Sequence, residues 1–222
     1  MIVAFSGIKF SGKDTAAECL ISRYGFKRIG LADKLKDLCS DVFKVNRQDM
    51  DDPSKKELTF EVHLKITNEH LVQLLSTVKN DGFDFSYDKV LEEVKSNFEG
   101  TFLKSIREML QIIGTDILRT FVKDDIWLEY ITKFFDKKSK IVVTDARFKN
   151  ERDFLKKNGA VLVLIKRPKI VSNNTHISEN QLGEDSDYDA IIYNDSDIKS
   201  LHFTVNMWFG ILYNELLRNY SR

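Results

Sequence analysis

Apolar residues gather in short unbroken runs at Ile2–Phe5, Ile141–Val143 and Ala160–Ile165, and recur at spaced positions elsewhere. Unbroken runs of this length fit strands buried on both faces, whereas spaced apolar positions fit one face of a helix. The pattern predicts a strand over 2–6, a helix over 14–23, a short strand near Phe26–Ile29 and a helix from Ala32 to Phe43. Residues 45–100 are polar and harder to read. Asp49-Met50-Asp51-Asp52-Pro53 reads as a turn, Glu69–Val78 reads as helical, and Asp81-Gly82 and Glu99-Gly100 punctuate the rest. Apolar residues at 102, 103, 106, 109, 110, 113, 117 and 121 keep helical spacing between Phe102 and Phe121. A helix over Ile126–Phe135, strands over 141–143 and 160–165, a last strand from Asp189 to Tyr193 and a helix from Ile198 to Leu217 complete the order.

Buried strands alternating with helices imply an α/β fold with a central parallel sheet covered by helices on both faces. The chain is expected to form a single domain over 1–222, with 45–100 as an insertion or flap. In such sheets ligands collect at the carboxyl ends of the strands. The loop after Phe5, Asp145 and the loop after Ile165 would all emerge at that edge.

The first of these loops is the most informative. Gly7-Ile8-Lys9-Phe10-Ser11-Gly12-Lys13-Asp14-Thr15 follows the first strand and opens a helix, the Gly-x-x-x-x-Gly-Lys pattern of a phosphate-cradling P-loop. Glycines let the backbone curl until successive N–H groups converge on phosphate oxygens, and the helix adds its positive end. Lys13 can reach the outer phosphates. Asp14 stands where a magnesium-binding Ser or Thr usually follows the lysine, and Thr15 supplies the hydroxyl one residue later. A Mg²⁺ held mostly by phosphates and water suits this arrangement.

Asp145 ends the run Ile141-Val142-Val143-Thr144, as a Walker B carboxylate does, although strands also commonly end in a turn-forming Asp. Arg147 and Glu151 stand four apart, so they either pair on a helix surface or both point into a cleft. Arg107, Gln111, Gly114, Thr115, Asp116 and Arg119 interrupt the long helical pattern. Gly114 mid-pattern costs helix stability. It implies close backbone approach to another group, such as a nucleobase or phosphate, with a helix break between 113 and 116 as the alternative. Trp127 reads as a packing aromatic or a base-stacking one. Arg167-Pro168 ends a strand and opens an Asn/Ser/Thr-rich stretch over 167–180, which would serve a phosphoryl-transfer enzyme as a lid. His176 in that stretch is a structural residue rather than a base, and His63, His70 and His202 form no metal constellation.

Composition narrows the class. The chain has 222 residues, 34 basic and 34 acidic, and 42% hydrophobic residues. Zero formal net charge gives no support for broad nucleic-acid or membrane-surface binding. Cys19 and Cys39 lack metal-ligand spacing and read as buried free thiols in a reducing compartment. No signal peptide is apparent, and no apolar run approaches the roughly 18 residues of a membrane span.

These residues resemble those of the bacteriophage deoxynucleoside monophosphate kinases. The resemblance lies in Ser6 to Thr15, Arg107-x-x-x-Gln111-x-x-Gly114-Thr115-Asp116, Thr144-Asp145-Ala146-Arg147, Asn158-Gly159-Ala160, Arg167-Pro168 and Thr175-His176-Ile177-Ser178-Glu179. It implies a P-loop kinase with a helical acceptor-binding insertion and a lid, passing the γ-phosphate of ATP to a deoxynucleoside monophosphate with Mg²⁺ as cofactor. By resemblance, Ser11, Gly12, Lys13, Asp14, Thr15 and Arg167 hold ATP; no residue is fixed as a metal ligand, Thr15 and Asp145 being candidates through water, with Asp145 facing either metal or acceptor. Lys9, Leu35, Lys36, Arg107, Gly114, Thr115, Trp127, Asp145, Arg147 and Glu151 frame the acceptor, and Lys13, Lys9, Arg147 and Asp145 are catalytic. The resemblance further implies a cytoplasmic enzyme and a homodimer. Other readings of the same loop are a P-loop kinase for another small phosphorylated acceptor and a non-catalytic nucleotide sensor.

Overall fold

The computed structural model of the chain describes residues 1–8, 10–135, 139–146, 148–168 and 182–220. Its backbone contacts group into two compact units, Met1–Leu31 with Ile131–Arg222, and Ala32–Tyr130.

The first unit is built on a parallel sheet. Strands β1 (Ile2–Ser6), β2 (Lys27–Ile29), β5 (Ile141–Val143), β6 (Ala160–Lys166) and β7 (Ala190–Tyr193) lie in the order β2-β5-β1-β6-β7. Every pairing among them is parallel, with Ile2 opposite Ile141 on one side and Ala160 on the other. All five residues of β1 are buried, which is why that run carries no polar alternation. Helix α1 (Lys13–Tyr24) ends at Gly25, whose positive φ of 71° lets its N–H reach back to the Leu20 and Ile21 carbonyls. Helix α8 (Lys149–Lys157) links β5 to β6, and α9 (Ile198–Tyr220) follows β7. Val3, Phe5, Ala16, Leu20, Val205 and Phe209 share one core, so α1 and α9 cover the same face of the sheet. Right-handed crossovers put α8 on the opposite face, because β5→β6 runs across the sheet in the reverse sense to β1→β2. The strand order therefore reverses at β1, and the loop leaving β1 stands at the switch point where such sheets bind ligands.

The second unit is helical around a small antiparallel ribbon. It holds α2 (Asp33–Phe43), α3 (Pro53–Lys56), β3 (Thr59–Lys65), α4 (Asn68–Asn80), α5 (Tyr87–Phe98), β4 (Phe102–Ser105), α6 (Ile106–Gln111), a π-helical run over Ile112–Val122, and most of α7 (Ile126–Thr132). Leu71, Leu74, Leu75 and Val78 of α4 are fully buried with Leu38 of α2, Val94 of α5 and Ile117 of the π-run. Residues 45–100 thus supply much of this core, although only Glu69–Val78 among them reads as helical in the sequence.

The expected helix over Phe102–Phe121 needs correction. Phe102–Ser105 is a strand paired antiparallel with β3, with Leu103 buried between exposed Phe102 and Lys104. The helix starts only after Ser105, whose hydroxyl accepts from the Glu108 N–H at 3.2 Å while the Glu108 carboxylate accepts from the Lys104 N–H. That Ser-x-x-Glu signature was present in the sequence. No break occurs at Gly114. The chain instead widens into a π-helix, with the Lys123 N–H bonding the Leu118 carbonyl five residues back. Helix α7 ends at Thr132, short of the expected Phe135.

Candidate functional site

The loop after β1 is a curled cradle. Gly7, Phe10 and Gly12 all have positive φ, at 145°, 65° and 103°. A Cβ added to Gly7 would lie 2.5 Å from the Ile165 carbonyl oxygen, so no other residue fits there. Phe10 adopts the left-handed region without a glycine's freedom and leaves its ring exposed, a local strain of about 1 kcal/mol held by the surrounding loop.

Four loop carbonyls are bonded by side chains. The Lys13 ammonium, nearly buried at 6% exposure, donates to the Gly7 and Ile8 carbonyls at 2.8 and 2.7 Å. Arg167, at the carboxyl end of β6, donates to the Phe10 carbonyl at 3.3 Å. Asn194, just past β7, donates to the Ser11 carbonyl at 2.9 Å. Ser11 is wholly buried, and its Oγ has no hydrogen-bond partner among the described residues. A buried hydroxyl without a partner costs about 1–3 kcal/mol. A phosphate oxygen in the cradle would relieve that cost, so the loop fits the ATP that the sequence implies.

Thr15 and Asp14 sit in the first turn of α1, Asp14 exposed and Thr15 half-buried. His202 of α9 meets the Thr15 carbonyl through Nε2 at 3.1 Å. Asp145, at the carboxyl end of β5, accepts the Leu31 N–H on both oxygens at 3.1 and 3.0 Å. Beside it, the buried Ser6 hydroxyl donates to the Ala146 carbonyl. Glu151 accepts the Phe148 N–H at 2.9 Å and so caps α8. Lys9 and Arg147 lie outside the described residues, as do His176 and nearly all of the expected lid.

The second unit accounts for its own candidates one by one. Leu35 is buried in the core, and a Cβ on Gly114 would lie 2.5 Å from its Cδ2. The close neighbour of the Gly114 backbone is thus the Leu35 side chain rather than a nucleobase or phosphate. Lys36, also buried, pairs with Asp51 at 2.7 Å and with Asp33 at 3.7 Å. Burial alone would push the Asp51 carboxyl up; Lys36 and Arg47 outweigh it and hold it below its ordinary value. Trp127 donates through Nε1 to the Gly114 carbonyl at 3.2 Å and stacks on Tyr130. Burial, then the Asp81 carboxylate that accepts its hydroxyl, pushes the Tyr130 phenol up. Arg107 is half-exposed and pairs with Glu57, and Thr115 is exposed. Cys39 is inert: burial pushes its thiol up to about 12.

Asn194 was missed by sequence reasoning. A single Asn after a strand reads as a turn residue, and nothing in the sequence signals a partner so distant along the chain.

Comparison with known proteins agrees with this geometry. The family profile described as deoxynucleotide monophosphate kinase matches residues 60–205, a span that begins beyond the glycine loop and so is independent of it. The deoxynucleotide monophosphate kinase of Enterobacteria phage T4 is 26% identical, over 95% of this chain and 99% of its own length. That of Escherichia phage RB69 is 26% identical, over 90% and 96%. A protein of Acanthamoeba polyphaga mimivirus, provisionally named for the same activity, is 27% identical, over 91% and 92%. A glycine cradle at the switch point of a parallel sheet and a profile spanning well over half of the remaining sequence lead to one assignment: the chain belongs to the deoxynucleotide monophosphate kinase family.

Proposed function

We propose that this enzyme transfers the γ-phosphoryl group of ATP to a deoxynucleoside 5′-monophosphate, giving the diphosphate and ADP. The observation that carries the reading is the cradle formed after β1, with a Ser11 hydroxyl that has no partner among the described residues and a Lys13 ammonium held at the loop. Ser11, Gly12, Lys13, Asp14 and Thr15 would hold the ATP phosphates, and Arg167 would add positive charge at the same loop. Mg²⁺, when bound, offsets phosphate charge; Thr15 and Asp145 are the protein groups suited to its water shell.

Leu35, Lys36, Arg107, Gly114, Thr115 and Trp127 of the second unit are proposed to frame the acceptor, with Lys9, Asp145, Arg147 and Glu151. Within this set Leu35 packs against Gly114, Lys36 pairs with Asp51 and Trp127 donates to the Gly114 carbonyl. An acceptor phosphate is ionised at neutral pH and needs no strong base. Alignment, charge neutralisation by Lys13, Lys9, Arg107 and Arg147, and exclusion of water would carry the acceleration. Residues 45–100 act in this reading as the acceptor-binding insertion, and 167–180 as the lid.

The homodimer belongs to the same reading. Phe203, Met207 and Ile211, one turn apart on α9, are 67%, 54% and 59% exposed. No Lys, Arg, Asp or Glu occurs from Ser200 to Asn214, in a chain with 31% charged residues. A stripe centred on Met207 is self-complementary about a two-fold axis, as an isologous interface requires.

A panel of deoxy- and ribonucleoside monophosphates and non-nucleotide phosphates, assayed for ADP release from ATP and magnesium, tests the function. Acceptor-dependent release with deoxynucleotides is expected. Release only with a non-nucleotide acceptor would replace this reading with another kinase, and ATP binding without any acceptor-dependent release would replace it with a nucleotide sensor.

A further inference from the structure

We propose that Asn194 is a positioning residue for phosphoryl transfer, setting the direction of the Gly12 amide toward the ATP phosphates. The inference rests on the reading of residues 7–13 as the ATP-phosphate cradle. Asn194 stands at the carboxyl end of β7, 6% exposed, and its own N–H is fixed to the Lys166 carbonyl at 2.7 Å. Its side-chain amide donates to the Ser11 carbonyl at 2.9 Å, a buried bond between residues 183 apart in sequence.

The physical consequence follows from the planar peptide. In a trans peptide the C=O of one residue and the N–H of the next point in opposite directions. Holding the Ser11 carbonyl outward on Asn194 turns the Gly12 N–H to the inner side of the loop. Loop carbonyls elsewhere are held by charged groups, Lys13 on Gly7 and Ile8 and Arg167 on Phe10. Those cations are also drawn to phosphate. Asn194 is the neutral anchor among them, so its bond to Ser11 does not compete with the ligand.

Packing confines the contact further. A Cβ on Gly12 would lie 2.6 Å from the Asn194 Nδ2 and 3.1 Å from the Leu201 Cδ2. The amide therefore occupies the space that glycine at position 12 leaves open. Without a donor there, the Ser11–Gly12 peptide would be free to rotate, and the cradle would lose one inward N–H before ATP arrives.

Two substitutions test this. Asn194→Asp keeps the shape but places an acceptor against the Ser11 carbonyl, and Asn194→Ser leaves room without reaching it. Wild-type turnover of ATP with a deoxynucleoside monophosphate reports on the functional reading itself; the ratio of variant to wild type reports on Asn194. Loss of one buried hydrogen bond is expected to lower kcat/KM for ATP about tenfold or more, with KM for the acceptor unchanged and melting curves still cooperative. Folded variants whose ATP parameters stay within about twofold of wild type would overturn the proposal. Should neither variant fold, the wild type suffices: the Asn194 side-chain NH₂ should be protected from solvent exchange in NMR spectra with and without ATP. Rapid exchange in both states would overturn the proposal equally.

Discussion

Gly114 and Leu35 are fitted to each other: a Cβ on the glycine would lie 2.5 Å from the leucine Cδ2 and 3.4 Å from its Cδ1. Both residues are buried, and the Gly114 carbonyl accepts the Trp127 indole at 3.2 Å. A glycine that costs a helix about 1 kcal/mol is thus matched to one side chain and one ring.

Gly114→Ala should therefore destabilise the protein by about 1–3 kcal/mol despite alanine's better helix propensity. Leu35→Ala in the same chain should recover part of that loss relative to the sum of the single changes. Urea unfolding of the single and double variants measures the coupling; strict additivity would disprove the contact.

Asp51 supplies a pH signature. Its carboxyl is held below 3.8, with Lys36 and Arg47 outweighing burial. A depressed folded pKa gives stability that is full above 3.8 and lost as pH falls through the folded value. Asp51→Asn should lower the melting temperature at pH 7 and make little difference near about pH 2. An equal shift at both pH values would mean that the pairing contributes nothing.

Arg107 is an exposed candidate, paired only loosely in energetic terms with Glu57 on the surface. Arg107→Ala should leave the melting temperature nearly unchanged while raising KM for the acceptor about tenfold, the order expected for a charged contact to phosphate. Unaltered acceptor kinetics would remove it from the site.

On α9, Met207→Lys places a charge at the centre of the exposed stripe. If two copies pair there, sedimentation should change from a dimer to a monomer with the fold retained. A wild-type monomer, or a dimer unaffected by the lysine, would rule out this face.

Much of the first unit was legible because its signals are local. An apolar run, a glycine loop and a helix adjoin one another, and residues 141–143 and 160–165 are unbroken apolar runs. Leu71, Leu74, Leu75 and Val78 likewise spell out the buried face of α4. Phe102–Ser105 was misread because adjacent apolar residues fit either period, and the cap formed by Ser105 and Glu108 was the deciding signal. The π-run keeps the apolar spacing of an ordinary helix, with Ile113 and Ile117 buried in the core, so nothing in the pattern separates the two. Asn194 depends on a contact that only the folded sheet creates.

Residues 7–13 are proposed to enclose the phosphates of ATP. Calorimetric titration of ATP with magnesium into the wild type and Lys13→Ala tests it most directly. Saturable binding by the wild type is expected, with a loss of about tenfold or more in the variant, the order for one charge-assisted contact. Equal affinity in both, or no uptake of ATP by the folded wild type, would contradict it.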